Sequence, residues 1–390
     1  MTAAPLPGGG RAAAVPLLVL TVFLDLIGFG IVVPQLPLAA ARFDAQGTMA
    51  GLLVATDSLF SFFLAPVWGR LSDRIGRRPV ILIGLFASAA SYALFGLAPS
   101  LVVLFLSRVL SGGLGATVTV AQAFLADVTP LDRRSQAMGL VGAAFGVAFT
   151  IGPIIGGIAA KVSQGAPGYV AAAICGANLL LALVLLPESR DRRVQSWSRG
   201  GGLPRSAALV AVLSTFAFTT VYVVFQGFAR DDLGLSRSNI SYCFALLGLV
   251  TALVQGRLVG VLAPKVGERA LIVAGGSALA TGLGLIALAE HAGGMRLPSL
   301  LTGVALLAAG FSFIGPCVAG LVSRATSGDE QGRALGALQA VGSGARIAGP
   351  PLLGFTSDAA GYGAAFGLAA MAALAAGVVA RLWRPPTSAR

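Results

Sequence analysis

Asp25 and Arg108 are the residues with which this sequence could do chemistry. Asp25 interrupts the apolar run 15–37 and Arg108 the run 100–126. A charge in hydrocarbon costs several kcal/mol unless it is paired or hydrated, so position alone makes each a functional candidate. At ~1.5 Å rise per residue, Asp25 lies about 15 Å from the inner edge of its run. Arg108 lies about 12 Å from the outer edge of its own, so both come near the middle of a ~30 Å hydrocarbon layer. Burial disfavours a charged carboxylate and a neighbouring guanidinium favours it. Separating the two would therefore move a proton. On this reading Asp25 carries the proton and Arg108 is its switchable partner; a static ion pair is the alternative. The single histidine, His291, falls in a polar break, and Lys is absent from the apolar runs. Arg keeps its proton, which leaves a carboxylate as the carrier.

Further polar groups share these runs. Asp57, about 10 Å from the outer edge, is a second protonation site, an acid that meets a cationic substrate, or a hydrated rim residue. Arg346, about 18–20 Å from the inner edge, suits an anionic or carbonyl group of a substrate, or a counter-ion role towards Asp25 or Asp57. Gln35, Gln122, Tyr222, Gln226 and Gln339 can line a cavity or join helices by hydrogen bonds. Phe145, Phe225 and Phe311 can stack a flat lipophilic ligand or simply pack. Cys175, Cys243 and Cys317 lie in apolar stretches and read as packing thiols. No metal site and no cofactor is expected; protons are the coupling ion. The glycine-rich GGLGA (112–116) lacks the Lys-Ser/Thr pair of a phosphate cradle, and paired catalytic acids are missing, so an enzyme is not expected.

The elements that position these groups follow from composition. Of 390 residues, 56% are hydrophobic and 11% charged, whereas soluble domains carry about 25% charge. A helical span needs about 20 apolar residues. Such runs fall at 15–37, 50–71, 79–98, 100–126, 136–160, 168–187, 207–229, 239–262, 270–290, 297–323, 332–356 and 363–382. The expected fold is all-α and integral to the membrane, with twelve transmembrane helices in two pseudo-symmetric six-helix halves, 1–187 and 207–390. A basic cytoplasmic linker, 188–206, joins them. Twenty of the 27 Lys and Arg residues fall on one set of alternating loops, five on the other, and two, Arg108 and Arg346, at depth. Positive charge stays inside. Both termini are therefore expected in the cytoplasm of a multi-pass protein of the inner (plasma) membrane. The net charge of +12 is a topology signal and an attraction to anionic lipid, with no call for nucleic acid.

The halves echo each other. GLVGAAFGVAFTIGPIIGG (139–157) matches GALQAVGSGARIAGPPLLG (336–354), pairing Gly139 with Gly336 and Gly152-Pro153 with Gly349-Pro350. GRLSDRIGRRPVILIG (69–84) has a weaker echo in GRLVGVLAPKVGERALIVAG (256–275). Duplicated halves are the architecture of alternating-access transporters. In the fifth span, small residues at 142, 146, 148, 152 and 156 allow close helix approach, and Pro153 invites a kink.

Four motifs carry a family resemblance. DLIGFGIVVPQLP (25–37), GRLSDRIGRRP (69–79), SRVLSGGLGA (107–116) and the Gly-Pro stretch of span five resemble the signatures of the major facilitator superfamily, within it the twelve-span drug:proton antiporters. The N-terminal half, through FLADVTPLDRR (124–134), is most similar to tetracycline efflux proteins, although those carry an acid where this chain has Ser91 and the family glycine of span five is Ala148. The resemblance implies coupling roles for Asp25 and Arg108. It also implies a cytoplasmic gate of Gly69, Asp73, Gly76, Arg77, Arg78 and Asp127, in which Asp73, Arg77 and Asp127 stabilise the outward-facing state, and an antiporter motif of Gly139, Gly152, Pro153, Gly156 and Gly157. The expected function is proton-driven export of a small amphipathic drug or metabolite by a monomer in the bilayer. The alternatives are a proton symporter or facilitator for uptake and a non-transporting scaffold or receptor.

Overall fold

The computed structural model describes residues 8–115, 117–129, 134–188, 203–325 and 331–383. The expected linker lies mostly outside the described residues. Among them the secondary structure is helical: α1 (Gly8–Val32), α2 (Leu36–Ala40), α3 (Gly47–Ile75), α4 (Arg77–Leu97), α5 (Leu101–Leu114), α6 (Thr117–Val128), α7 (Arg134–Ala159), α8 (Ala166–Leu185), α9 (Arg205–Thr219), α10 (Val224–Asp231), α11 (Arg237–Leu253), α12 (Val259–Val266), α13 (Glu268–Leu288), α14 (Arg296–Ala325) and α15 (Gln331–Leu382).

Ten of these stretches, some joining two helices, are long and apolar enough to cross a membrane. The expected eleventh and twelfth runs both fall in α15, where Gly361 (φ 82°, ψ 167°) breaks the helical path. Only glycine adopts that backbone readily. The fifth run is α7, whose apolar stretch Ala144–Ala159 is shorter.

Several spans are discontinuous. The first passes from α1 through a 3-10 turn at Val33–Gln35 into α2. The fourth breaks at Gly115, whose N–H returns to the Ser111 carbonyl at 2.7 Å. The seventh breaks at a 3-10 turn, Thr220–Tyr222, and the eighth contains a π-helical turn, Val254–Leu258. Irregular backbone at membrane depth is tolerated where it faces protein or a water-filled cavity.

The chain forms two compact units. One comprises Met1–Phe43, Thr56–Val194 and Arg237–Ala245; the other comprises Asp44–Ala55, Gln195–Ser236 and Leu246–Arg390. In the first, α1 packs on α7 and α8, and α4 on α5 and α8. In the second, α13 packs on α14, and α15 on α9 and α13. Each unit takes in a short piece from the sequence of the other half, and glycines explain the docking. A Cβ on Gly157 would fall 2.9 Å from Ser241 Cβ, and Ser238 donates to the Gly157 carbonyl at 2.7 Å. In the second unit, Gly354 meets the backbone of Gly47 and Gly51 meets that of Pro350. Asp358 there accepts both the Thr48 N–H (2.8 Å) and the Thr48 hydroxyl (2.6 Å), which caps α3.

Candidate functional site

In the first unit Arg108 on α5 is wholly buried, at 0% exposure. Its Nη2 donates to Ser91 Oγ at 3.0 Å and its Nε to Ser107 Oγ at 3.2 Å. Ser91 in turn donates to the Ser107 carbonyl at 2.8 Å. The guanidinium stands 5.8 Å from the Tyr92 ring centroid, a cation–π distance. Among the described residues Nη1 has no hydrogen-bond partner. Asp57, from α3, is the acid beside it, and its buried Oδ1 likewise lacks a partner. Gly112 explains that proximity, because a Cβ there would overlap the Asp57 backbone. Ser61 and Trp68 complete the seam by donating to the carbonyls of Gly112 (3.2 Å) and Gly113 (2.6 Å).

Asp25 is also buried. Ser88 and Thr117 flank its carboxylate, and Cys175 Sγ approaches Oδ1 at 4.0 Å. Gly28, one turn along α1, lets α8 and α4 close in: a Cβ there would lie 2.7 Å from both Cys175 Sγ and the Tyr92 ring. The expected direct contact between Asp25 and Arg108 is not formed. Among the described residues no cation reaches ion-pair distance of Asp25, and its charged neighbour is Asp57. The physical reason is local. Ser91 on α4 and Ser107 on α5 hold the guanidinium, and the glycine seam supplies a different acid. Ser91, Ser107, Tyr92 and Cys175 were not singled out for the site, since residues of these types are common in apolar runs.

At the end of α3 the structure brings the expected gate residues together. Arg77 Nη1 meets Asp73 Oδ1 at 2.7 Å and Arg77 Nε meets Asp127 Oδ2 at 3.0 Å. Arg77 Nη1 also donates to Ser72 Oγ at 2.6 Å, and Arg78 donates to the Leu183 carbonyl at 2.6 Å. Gly76 has φ +105°, and the space its Cβ would take holds the Glu188 carboxylate. Glu188 accepts the Arg77 N–H at 2.9 Å, which puts a negative charge at the start of α4 where the helix dipole favours it. Sequence reasoning missed Glu188 because it opens the basic linker. Gly69 has open space around its Cβ direction, and its carbonyl accepts Ser72.

The antiporter motif lies along α7, Gly139 included. Gly152 and Gly156 face the α1 backbone, with Cβ positions 2.8 Å from the Gly30 and Ile31 backbones respectively. Pro153 lies within the helix.

The cavity candidates divide between the units. In the first, Gln35 donates to Ser241 Oγ at 2.9 Å, Phe145 stacks on Phe149 at 4.5 Å between centroids, and Gln122 is exposed. In the second, Tyr222 lies beside Arg346 and 5.8 Å from Phe218, which stacks on Phe311 at 3.9 Å. Arg346 Nη2 donates to Ser343 Oγ at 2.8 Å. Gln226 and Phe225 are buried, and Gln339 is exposed.

A bundle of apolar helices with acids and arginines at their middle, broken spans beside them and a charged latch at one loop is a polytopic membrane transporter. The chain belongs to the Major Facilitator Superfamily, whose sequence profile matches residues 18–206 and 207–390. It is 36% identical over 353 residues to the tetracycline resistance protein, class C, of Escherichia coli, covering 85% of this chain and 86% of that protein. It is 30% identical over 353 residues to multidrug resistance protein 1 of Bacillus subtilis, with 88% and 89% covered. Among solved structures, a D-xylose-proton symporter superposes with TM-score 0.74 at 15% identity, covering 94% of this chain and 96% of that one. The human organic anion transporter MFSD10 superposes with TM-score 0.70 at 24% identity, with 95% and 99% covered. Both show the fold.

Proposed function

We propose that this protein exports small amphipathic compounds in exchange for protons, by alternating access of its two sequence halves, 1–187 and 207–390. The observation that carries the reading is Asp25, a buried carboxylate near the middle of an apolar span with no cation among the described residues at ion-pair distance. Such a group takes or loses a proton as its hydration changes, and the neighbouring Asp57, itself beside Arg108, adds to its field. The Arg77 latch with Asp73, Asp127 and Glu188 stabilises one access state, and the glycine seams of α1 with α7 let helices slide. Each chain holds both repeats, which supports a working monomer, and the Lys/Arg bias of alternating loops supports both termini in the cytoplasm. Tetracycline, named in several curated relatives, is the first compound to test, with Ser91 marking where this chain departs from the tetracycline pumps. The test is transport in proteoliposomes under an imposed pH gradient: export against the compound's gradient, driven by inward proton flow, is expected, and uptake in the direction of the protons would overturn the reading.

A further inference from the structure

We infer that the second unit carries an anion-accepting subsite built on Arg346, which takes a flat aromatic compound bearing a carboxylate or similarly delocalised anionic oxygen. The inference deepens the efflux reading above and rests on it. Arg346 is half-buried on α15, in the apolar run 332–356, and its hydrogen bond is to Ser343, one turn earlier on its own helix. Among the described residues, no carboxylate in its unit reaches ion-pair distance. A guanidinium at membrane depth without a counter-charge is costly and faces a cavity or a partner rather than lipid. Its planar fork of donors matches a carboxylate in two parallel bonds.

The surroundings fix the shape of the partner. Tyr222 lies beside Arg346 in the 3-10 turn that interrupts span seven, and interrupted spans mark binding sites in transporters of this architecture. One turn before it, Phe218 sits edge-on to the Tyr222 ring and stacks on Phe311 with an interplanar angle of 12°. Phe218, Tyr222 and Phe311 all remain partly exposed, so the stack keeps ring surface for a third flat group. Four residues beyond Tyr222, Gln226 is 0% exposed and both of its amide atoms lack a partner. A buried amide that neither donates nor accepts is rare in a finished structure; it points to a polar group supplied from outside the chain.

The test uses the full-length protein in detergent with two flat dyes of opposite charge, fluorescein and ethidium, followed by fluorescence polarisation. Wild-type protein is expected to bind fluorescein saturably. Arg346→Gln should weaken fluorescein by about tenfold or more, the scale of a lost charge-assisted bond, and leave ethidium unchanged. Arg346→Lys, which keeps the charge without the fork, should fall between. Equal fluorescein affinity in wild type and Arg346→Gln, a parallel loss of both dyes, or no saturable fluorescein binding by wild type would each overturn the subsite. Binding is read without a gradient. Fluorescein binding through Arg346 in a protein that cannot pump would therefore sink the efflux reading alone, and proton-driven export with fluorescein binding indifferent to Arg346 would sink the subsite alone.

Discussion

Arg108 is tied to Ser91 by a 3.0 Å hydrogen bond to α4, while the acid beside it, Asp57, comes from α3. The hydrogen bonds that hold the arginine are therefore to neutral groups, with Asp57 as its neighbouring charge, and among the described residues its buried Nη1 has no partner. Ser91→Ala would strip a buried cation of one acceptor, a loss of about 1.5–3 kcal/mol when a charged group is involved. We expect this variant to be made in normal amounts yet to unfold at lower temperature and to transport several-fold more slowly. Unchanged melting and unchanged rates in vesicles would show that the serine does not hold the guanidinium.

The charged latch around Arg77 separates backbone from charge. Gly76 sits at φ +105° with Glu188 in the space a side chain would need, so Gly76→Ala should cost roughly 1–3 kcal/mol of strain and displace Glu188. A thermal melt of the purified protein reads it.

Asp73 is different, because its side chain is 62% exposed. An exposed pair contributes ~0–1 kcal/mol. On the proposed reading, in which the Asp73–Arg77 contact stabilises one access state, Asp73→Ala should leave expression and melting intact while slowing transport. Transport at the wild-type rate would remove Asp73 from the mechanism.

Asp358 caps α3 through two bonds to Thr48. Asp358→Ala should cost about 0.5–2 kcal/mol as a lost helix cap, and Asp358→Asn, which keeps an acceptor, less. Melting curves of the two variants give the order; equal stability of both with wild type would contradict the cap.

The sequence made the spans, the repeat and the latch legible because each rests on spacing along one chain. Gly157 and Gly354, 197 residues apart, occupy corresponding places in the two echoes, and each docks a short segment in its own unit. Asp73, Arg77 and Asp127 meet as the motif implied. The partner of Arg108 was not legible. Depth along a span follows from counting residues, but which neighbour a side chain meets depends on helix rotation, and that is set here by Gly112 and the serines of α4 and α5. Glu188 was hidden for another reason: its role as a cap on the start of α4 exists only once the end of α8 folds back beside Gly76.

The most direct test of the account is Asp25→Asn, purified and reconstituted with the wild type. With the carboxylate replaced by an isosteric amide, export driven by an imposed pH gradient should vanish, while downhill exchange of the compound persists and no longer depends on pH. Full uphill export by Asp25→Asn, with the pH dependence of wild type, would contradict proton carriage by this residue.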